Sequence, residues 1–155
     1  MKALITGATS GIGKSIARKL HERGWELILT GRNESVLNEL KKEFGESAEI
    51  FAADLSDRSE VFRLFGFCSD KNVDMLVNNA GYGLFGRFDE TSLDDELDMI
   101  DLNITAVHIL TKLFLREFKR RNSGIILNVA SSAGFLTGPL MSSYYASKNY
   151  VVRLS

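Results

Sequence analysis

The sequence predicts a three-layer α/β/α fold of the doubly wound, Rossmann type, in which a parallel sheet lies between two layers of helices. Short apolar runs alternate with longer amphipathic runs along the chain, and this alternation is typical of parallel strands joined by helices. Right-handed crossovers then place helices on both faces of the sheet. A glycine-rich turn after the first apolar run is the third indication. The 155 residues suit one domain, spanning 1–155, that is large enough to bury a core.

Each predicted strand is a short apolar run bounded by Gly, Asp or Asn, which are residues that favour turns. The five strand candidates are 3–6, 26–30, 49–53, 75–78 and 125–130. Because such short runs contain few polar residues, we expect the strands to be covered on both faces.

The predicted helices have apolar residues at spacings of three and four. The helix candidates are 11–23, 34–44, 57–67 and a long helix from about 92 to 121. We expect Gly24 to stop the first helix and Ser56 to cap the third. The apolar stripe of the long helix is predicted to contain Leu93, Leu97, Ile100, Ile104, Val107, Thr111, Phe114 and Phe118.

Composition and charge argue against several kinds of partner. A net charge of −1 gives no reason to expect a nucleic acid or an anionic membrane. No apolar run is long enough to cross a bilayer, and the strand-like run directly after Met1 leaves no room for a signal peptide. The single cysteine, Cys68, cannot form an internal disulfide. We therefore expect a cytoplasmic protein without a metal site, in which Cys68 is buried or incidental rather than reactive.

A glycine-rich turn links the first predicted strand to the first predicted helix. Its sequence is Thr6-Gly7-Ala8-Thr9-Ser10-Gly11-Ile12-Gly13. Glycines allow a tight turn and let the backbone approach a pyrophosphate, and the helix that follows offers free N–H groups and a positive dipole end. The turn therefore fits a dinucleotide cofactor, although a purely structural glycine turn would look similar on its own.

Tyr144 and Lys148 lie four residues apart, which places both side chains on one face of a helix. A phenol has a pKa of about 10 and is a poor base at neutral pH, but a nearby ammonium group lowers that pKa. Such a tyrosine can give a proton to a carbonyl oxygen or take one from an alcohol. Tyr145 points about 100° around the helix and cannot share this role, so its ring is expected to pack. The same spacing is also common on ordinary helix surfaces.

Together these motifs resemble the short-chain dehydrogenase/reductase family. The Thr-Gly-x-x-x-Gly-x-Gly loop, the element Asn78-Asn79-Ala80-Gly81 and the Tyr-x-x-x-Lys signature occur in the family's order, and the resemblance covers essentially the whole chain. It implies hydride transfer between a nicotinamide cofactor and a small carbonyl or alcohol substrate. Epimerase and dehydratase relatives share Tyr-x-x-x-Lys but usually carry G-x-x-G-x-x-G loops, so the glycine spacing here counts against them.

The end of the second predicted strand favours NADP(H) over NAD. NAD-binding Rossmann domains usually carry an acid there for the ribose 2′-hydroxyl, whereas this chain has Gly31 followed by Arg32. A guanidinium can hold a 2′-phosphate by charge-assisted hydrogen bonds, with Lys14 and Arg18 as further candidates. Alternatively, Arg32 is a solvated surface charge.

By the resemblance, Asp54 contacts the adenine ring, although an Asp after a strand is also a common turn residue. In the Asn-Asn-Ala-Gly element, Asn79 is the expected cofactor contact and Asn78 is expected to be structural. The cofactor-binding residues that we expect are Gly7, Thr9, Ser10, Gly11, Ile12, Gly13, Arg32, Asp54, Leu55, Asn79, Ala80, Gly81, Tyr144 and Lys148.

The resemblance implies four catalytic residues: Tyr144, Lys148, Ser131 and Asn103. Tyr144 would transfer the proton, and Lys148 would lower the tyrosine pKa and hold the nicotinamide ribose. Ser131 would position the substrate oxygen; its neighbour Ser132 fits the register less well, and both serines could simply be helix caps. Asn103 would hold a water that links Lys148 to solvent. Asparagine is unfavourable inside a helix, which makes its presence at 103 informative. The alternative is a structural Asn103 whose hydrogen bonds are satisfied.

Members of the family usually continue beyond the position of Ser155, with further strands and a variable substrate lid. We therefore expect a C-terminally truncated chain, either shortened or incompletely recorded. The alternative to an enzyme is an NADP-binding fragment without turnover. The resemblance also implies a homo-oligomer, because the long helix and the tyrosine-bearing helix often pack across a dimer axis. Apolar residues near the motifs indicate either a substrate pocket or core and interface positions: Tyr82, Leu84, Phe85, Phe135, Leu136, Pro139, Leu140 and Met141.

Overall fold

The computed structural model describes residues 1–155 and confirms the predicted fold class. One sheet of five parallel strands has the order β3-β2-β1-β4-β5. The strands are β1 Lys2–Thr6, β2 Glu26–Gly31, β3 Ala48–Ala52, β4 Met75–Asn78 and β5 Ile125–Asn128. The chain leaves β1 toward one edge and returns at β4 to build the other. The carboxyl ends of β1 and β4 therefore form the crevice in which such sheets bind ligands.

Helices cover both faces of this sheet. They are α1 Gly11–Glu22, α2 Glu34–Phe44, α3 Arg58–Cys68, α4 Leu93–Ile100, α5 Val107–Arg121 and α6 Ser142–Leu154, with short 3-10 helices at Gly45–Ser47 and Ser132–Phe135. Between α4 and α5 the helix continues as a π-helical segment, Asp101–Ala106. No helix of the chain is long and apolar enough to cross a membrane.

Successive strand residues enter two separate cores, because side chains alternate between the faces of a sheet. Leu4 packs in the core that contains Phe114 from α5. Its neighbour Ile5 packs in the other core with Leu37 from α2. Each fully buried leucine or isoleucine contributes about 1.5–3 kcal/mol relative to exposure, so the two apolar layers hold the crevice in place. Cys68 is buried in the first core, and burial raises the pKa of its thiol to about 12.

Two local predictions about helices need correction. Ser56 does not cap α3; Asp57 does, by accepting from the N–H of Ser59 at 2.7 Å. Ser56 instead donates its N–H and hydroxyl to the Asp54 carboxylate at 3.0 and 2.9 Å. Asp and Ser are comparable caps, so the sequence alone did not decide between adjacent residues.

The second correction concerns the buried stripe of the long helix. Before the π-helical segment, the buried positions are Glu96 and Met99, whereas Leu93 and Leu97 are exposed. Beyond it, Val107, Leu110, Phe114 and Phe118 are buried. A π-helical turn holds more residues than an α-helical turn. The face toward the core is therefore displaced by one residue across the segment, and the predicted 3.6-residue stripe is correct only after it.

Candidate active site

The phosphate loop is held open by hydrogen bonds from the end of β4. The Asn79 amide donates to the carbonyl oxygens of Thr6 and Gly7 at 2.9 and 3.1 Å. In return, the buried Thr6 hydroxyl oxygen accepts from the backbone N–H groups of Asn79 and Ala80 at 2.9 and 3.0 Å. The first helical bond of α1 runs from Lys14 N–H to the carbonyl of Ser10. The N–H groups of residues 11–13 therefore precede the hydrogen-bonded helix and can bind an anion.

Glycines let the loop approach its neighbours more closely than a side chain would allow. A Cβ atom on Gly13 would lie 2.3 Å from the Gly7 carbonyl oxygen, and one on Gly31 would lie 2.9 Å from a methyl carbon of Thr9. Gly7 itself has a φ of +64°, which glycine adopts without strain. The loop is therefore a backbone cradle whose shape fits a pyrophosphate.

We expect Gly13→Ala to collapse this cradle, because the added methyl group would meet backbone atoms that cannot rotate away. The free energy of unfolding should fall by about 2 kcal/mol or more, and NADPH binding should weaken by more than about tenfold. The matched control is Gly66→Ala in α3, where the space around the new Cβ is open; it should be neutral or slightly stabilising. Chemical denaturation and NADPH fluorescence titration measure both effects. Equal behaviour of the two variants would contradict the prediction.

Two adjoining cavities extend from the loop, and both contain Gly7, Ser10, Ala80 and Gly81. One, of about 310 Å³, is also lined by Thr9, Arg32, Asp54 and Leu55. The other, of about 350 Å³, is also lined by Gly11, Ile12, Asn79, Tyr144 and Lys148. The structure thus brings every predicted cofactor residue to these cavities except Gly13, which is buried beneath the loop.

At the outer end of the first cavity, Arg32 lies 3.6 Å from the Asp54 carboxylate. The Arg32 side chain is 68% exposed, so its guanidinium is free to turn toward a ligand. Arg18 is bound by Glu43 at 2.8 and 3.0 Å. Arg32, rather than Arg18, is therefore the arginine that lines this cavity.

Lys148 is one of two buried residues that carry a formal charge at neutral pH. Its ammonium group donates to the Val129 carbonyl oxygen at 3.0 Å, and no carboxylate lies within ion-pair distance. Burial lowers the pKa of Lys148. The ammonium therefore retains hydrogen-bonding capacity for a hydroxyl group in the second cavity.

The segment after β4 passes close to Lys148 and Tyr144, because glycines line it. A Cβ atom on Gly81 would lie 3.4 Å from the Lys148 ammonium nitrogen. One on Gly83 would lie 3.1 Å from the Tyr144 ring. Tyr144 is half-buried against this segment, and Tyr145 lines a different cavity of about 540 Å³ on another face of α6. Only Tyr144 of the two shares the cavity with Lys148.

Asn103 lies in the π-helical segment and is almost fully buried. Its amide holds the backbone of Tyr82 at two points, accepting from the N–H at 3.1 Å and donating to the carbonyl at 2.8 Å. The same amide donates to the Ser147 hydroxyl on α6 at 3.1 Å. The Asn103 side chain thus joins three segments of the site, and its role in a water relay remains a prediction.

Ser131 and Asn78 also take part in local structure. The Ser131 hydroxyl accepts from the N–H of Ala133 at 3.1 Å and so caps the 3-10 helix. Ser131 directly follows Ala130, which is one of the residues that line the second cavity. A catalytic role for Ser131 stays a prediction. Asn78 donates to Thr111 and Asn128 at 3.0 and 2.8 Å, which is a structural role. The amide of Asn79 is likewise engaged by the loop backbone, so a direct cofactor contact through it also stays a prediction.

The apolar residues near the motifs do not form one pocket. Leu84, Leu140 and Met141 line a small cavity beside Glu96. Phe135 and Leu136 line the cavity on the other face of α6. Phe85 is 74% exposed. None of these residues lines the cavity that contains Tyr144 and Lys148.

Two polar groups that bond to segments of the site were not predicted from the sequence: the Thr6 hydroxyl, and the Glu96 carboxylate, which accepts from Ser143 in α6. Thr6 could have been found as the polar end of an otherwise apolar strand. Glu96 could not have been placed by periodicity, because the π-helical segment shifts the stripe to which it belongs.

Comparisons with known proteins agree with this geometry. The family model described as short chain dehydrogenase matches residues 1–155. Nodulation protein G of Rhizobium sp. (strain N33) is 38% identical over 99% of this chain and 64% of its own length. The NADP-dependent 3-hydroxy acid dehydrogenase YdfG of Escherichia coli O6:H1 is 34% identical over 100% of this chain and 64% of its own length.

A solved structure is similarly close. The short-chain dehydrogenase from Sphingobium yanoikuyae in complex with NADPH has a TM-score of 0.92 and 33% identity, covering 99% of this chain and 62% of that chain. The chain thus spans less than two thirds of the length of these similar proteins. It matches the family model from its first residue to its last, and it carries that family's loop, strand-end and helix motifs around one crevice. The chain belongs to the short-chain dehydrogenase/reductase family.

Proposed function

We propose that this chain binds NADP(H) in the two adjoining cavities and transfers a hydride between the cofactor and a carbonyl or alcohol substrate. The observation that carries the proposal is that Tyr144 and the buried Lys148 line the same cavity as the phosphate-loop residues Gly7 and Gly11. An acid/base pair beside a pyrophosphate cradle suits a reaction in which hydride and proton transfers occur at one carbonyl group.

The residues of the site are proposed to have the roles that the resemblance to the family implies. NADPH, when bound, supplies the hydride. The Tyr144 hydroxyl gives the proton to the substrate oxygen or removes it in the reverse direction. Lys148, anchored on Val129, holds ribose hydroxyls through its remaining donors. Ser131 orients the substrate oxygen, and Asn103 keeps the surrounding segments in place.

The test of the proposal is carbonyl-dependent oxidation of NADPH by the purified chain, followed by the loss of NADPH absorbance with a panel of aldehydes and ketones. Turnover above a no-enzyme control would support the enzyme. Saturable NADPH binding without oxidation would support the alternative, an NADP-binding fragment. The observation that favours this alternative is that none of the apolar residues near the motifs lines the cavity of Tyr144 and Lys148.

The proposed preference for NADP(H) depends on Arg32, and it predicts an effect of Arg32→Asp. Removing a cation that faces a dianionic phosphate and adding an anion should weaken NADPH binding by more than about tenfold. NADH binding should stay the same or improve. Arg116→Asp makes the same charge change on an exposed face of α5 and should alter neither affinity. Tighter binding of NADH than NADPH by the wild type would overturn the preference.

Oligomeric state, location and domain organisation remain parts of the proposal. We propose a homo-oligomer because Leu97 and Leu115 are about half exposed on the outer face of the α4–α5 helix, and because β5 pairs on one side only. A cytoplasmic location and a single domain over 1–155 remain predictions from the sequence. No metal is needed for the proposed chemistry.

A further inference from the structure

Glu96 is a buried carboxylate without a cationic partner. It is 8% exposed, and Glu96 and Lys148 are the only two buried residues with a formal charge. No lysine, arginine or histidine lies within ion-pair distance of Glu96. Burying a charge is unfavourable unless it is paired or hydrogen-bonded, so the bonds that Glu96 makes indicate why it is tolerated.

The Glu96 carboxylate accepts two hydroxyl hydrogen bonds from two different segments. One oxygen accepts from Thr91, in the connection between β4 and α4. The other accepts from Ser143, in α6, at 2.9 Å. Glu96 itself is in the first half of α4. One carboxylate thus joins the connection after β4, helix α4 and helix α6.

The hydrogen bond to Ser143 lies in the first turn of α6, which has no side-chain cap. Met141, the residue that precedes α6, makes no side-chain capping bond, and the first helical bond runs from Tyr145 N–H to the Met141 carbonyl. First turns without caps fray. Tyr144 lies in this turn, directly after Ser143, whereas Lys148 lies one turn later and is anchored on Val129. Fraying would therefore move Tyr144 relative to Lys148.

We propose that Glu96 is a positioning residue that fixes the first turn of α6 through Ser143, and so holds the Tyr144 phenol in place beside Lys148. A carboxylate suits this position because a negative charge is stabilised near helix N-termini, here those of α4 and α6. The inference rests on the proposed function for its catalytic consequence, but the structural part can be measured independently.

The test compares variants at Ser143 and Glu96. Ser143→Ala removes the hydroxyl and should lower kcat for carbonyl reduction about tenfold, a factor that corresponds to the free energy of one hydrogen bond to a charged group. The KM for NADPH should be unchanged. Ser143→Thr keeps a hydroxyl and should restore most of the rate. Glu96→Gln keeps an acceptor oxygen and should be milder than Glu96→Ala. The matched control is Ser142→Ala: Ser142 is the neighbouring serine and makes no hydrogen bond to Glu96, so this variant should behave as wild type.

Hydrogen–deuterium exchange at residues 142–146 supplies the readout that needs no turnover. Ser143→Ala should speed exchange in this first turn and leave the rest of α6 unchanged, whereas Ser142→Ala should not. If the wild type shows no turnover, the proposed function fails, and the exchange data alone decide the positioning role. If Glu96→Ala does not fold, Ser143→Ala decides, because it leaves the carboxylate in place. Wild-type kcat and wild-type exchange in Ser143→Ala would overturn the inference.

Discussion

Replacing Tyr144 with phenylalanine should reduce carbonyl-dependent NADPH oxidation by about a thousandfold, because a positioned general acid contributes about 10²–10⁴ to such rates. The ring would remain in its place beside Gly83, where an added Cβ atom would meet ring carbons of Tyr144 rather than the hydroxyl. The cofactor cradle should therefore be intact, and NADPH affinity should change by less than about threefold.

The matched control for this prediction is Tyr145→Phe. It removes the same hydroxyl group one residue further along α6, where the side chain lines a different cavity. Its turnover should equal that of the wild type. A Tyr144→Phe protein that keeps wild-type turnover would show that another group supplies the proton, and the assignment of Tyr144 would be wrong.

The fold was predictable from the sequence because its signal is local and repeated. The three central strands bury nearly every residue, as in β1, where residues 3–6 are all buried. Such strands are continuous apolar runs in the sequence, whichever strands they pair with. Strand and helix bounds moved by only a few residues, since they depend on single capping bonds such as the one at Asp57. What the local signal did not contain was the π-helical segment at 101–106.

The parts of the site that depend on backbone conformation were predictable from the sequence. The parts that depend on a network of side-chain hydrogen bonds were less predictable. The glycines of the phosphate loop specify close approach, and the structure shows that approach at Gly13 and Gly31. The partners of Asn79, Asn103 and Glu96 come from segments far away in the chain. The packing of these segments, and not the residue types alone, decides which polar groups form hydrogen bonds with each other. The same reason explains why the apolar residues near the motifs do not gather in one cavity.

Replacing Lys148 with methionine should affect turnover and the free energy of unfolding differently. Turnover should fall by more than about a hundredfold, because the cavity loses the ammonium group that we propose to hold the ribose beside Tyr144. Stability should respond differently, since the wild-type ammonium is buried with one carbonyl partner and no carboxylate. Burial lowers the pKa of Lys148 in the folded protein, whereas in the unfolded chain a lysine has its usual pKa of about 10.4.

The sign of the resulting pH dependence follows from proton binding. Between the lowered folded pKa and about 10.4, the unfolded chain binds more protons at this residue than the folded chain does, so the free energy of unfolding rises with pH. Lys148→Met lacks this contribution. The stability of the wild type relative to the variant should therefore increase as the pH is raised from neutral toward about 10.

Denaturant unfolding at several pH values measures this difference, with Lys112→Met, an exposed lysine on α5, as the matched control. The Lys112 variant should follow the wild-type curve at every pH. A Lys148→Met protein whose free energy of unfolding differs from that of the wild type by the same amount at every pH would contradict the prediction. Because a methionine at 148 would avoid the desolvation of a buried ammonium, the fold gives no reason for a lysine there. The chemistry proposed for the second cavity supplies that reason, because there the ammonium group would bind the ribose hydroxyls of the cofactor beside Tyr144.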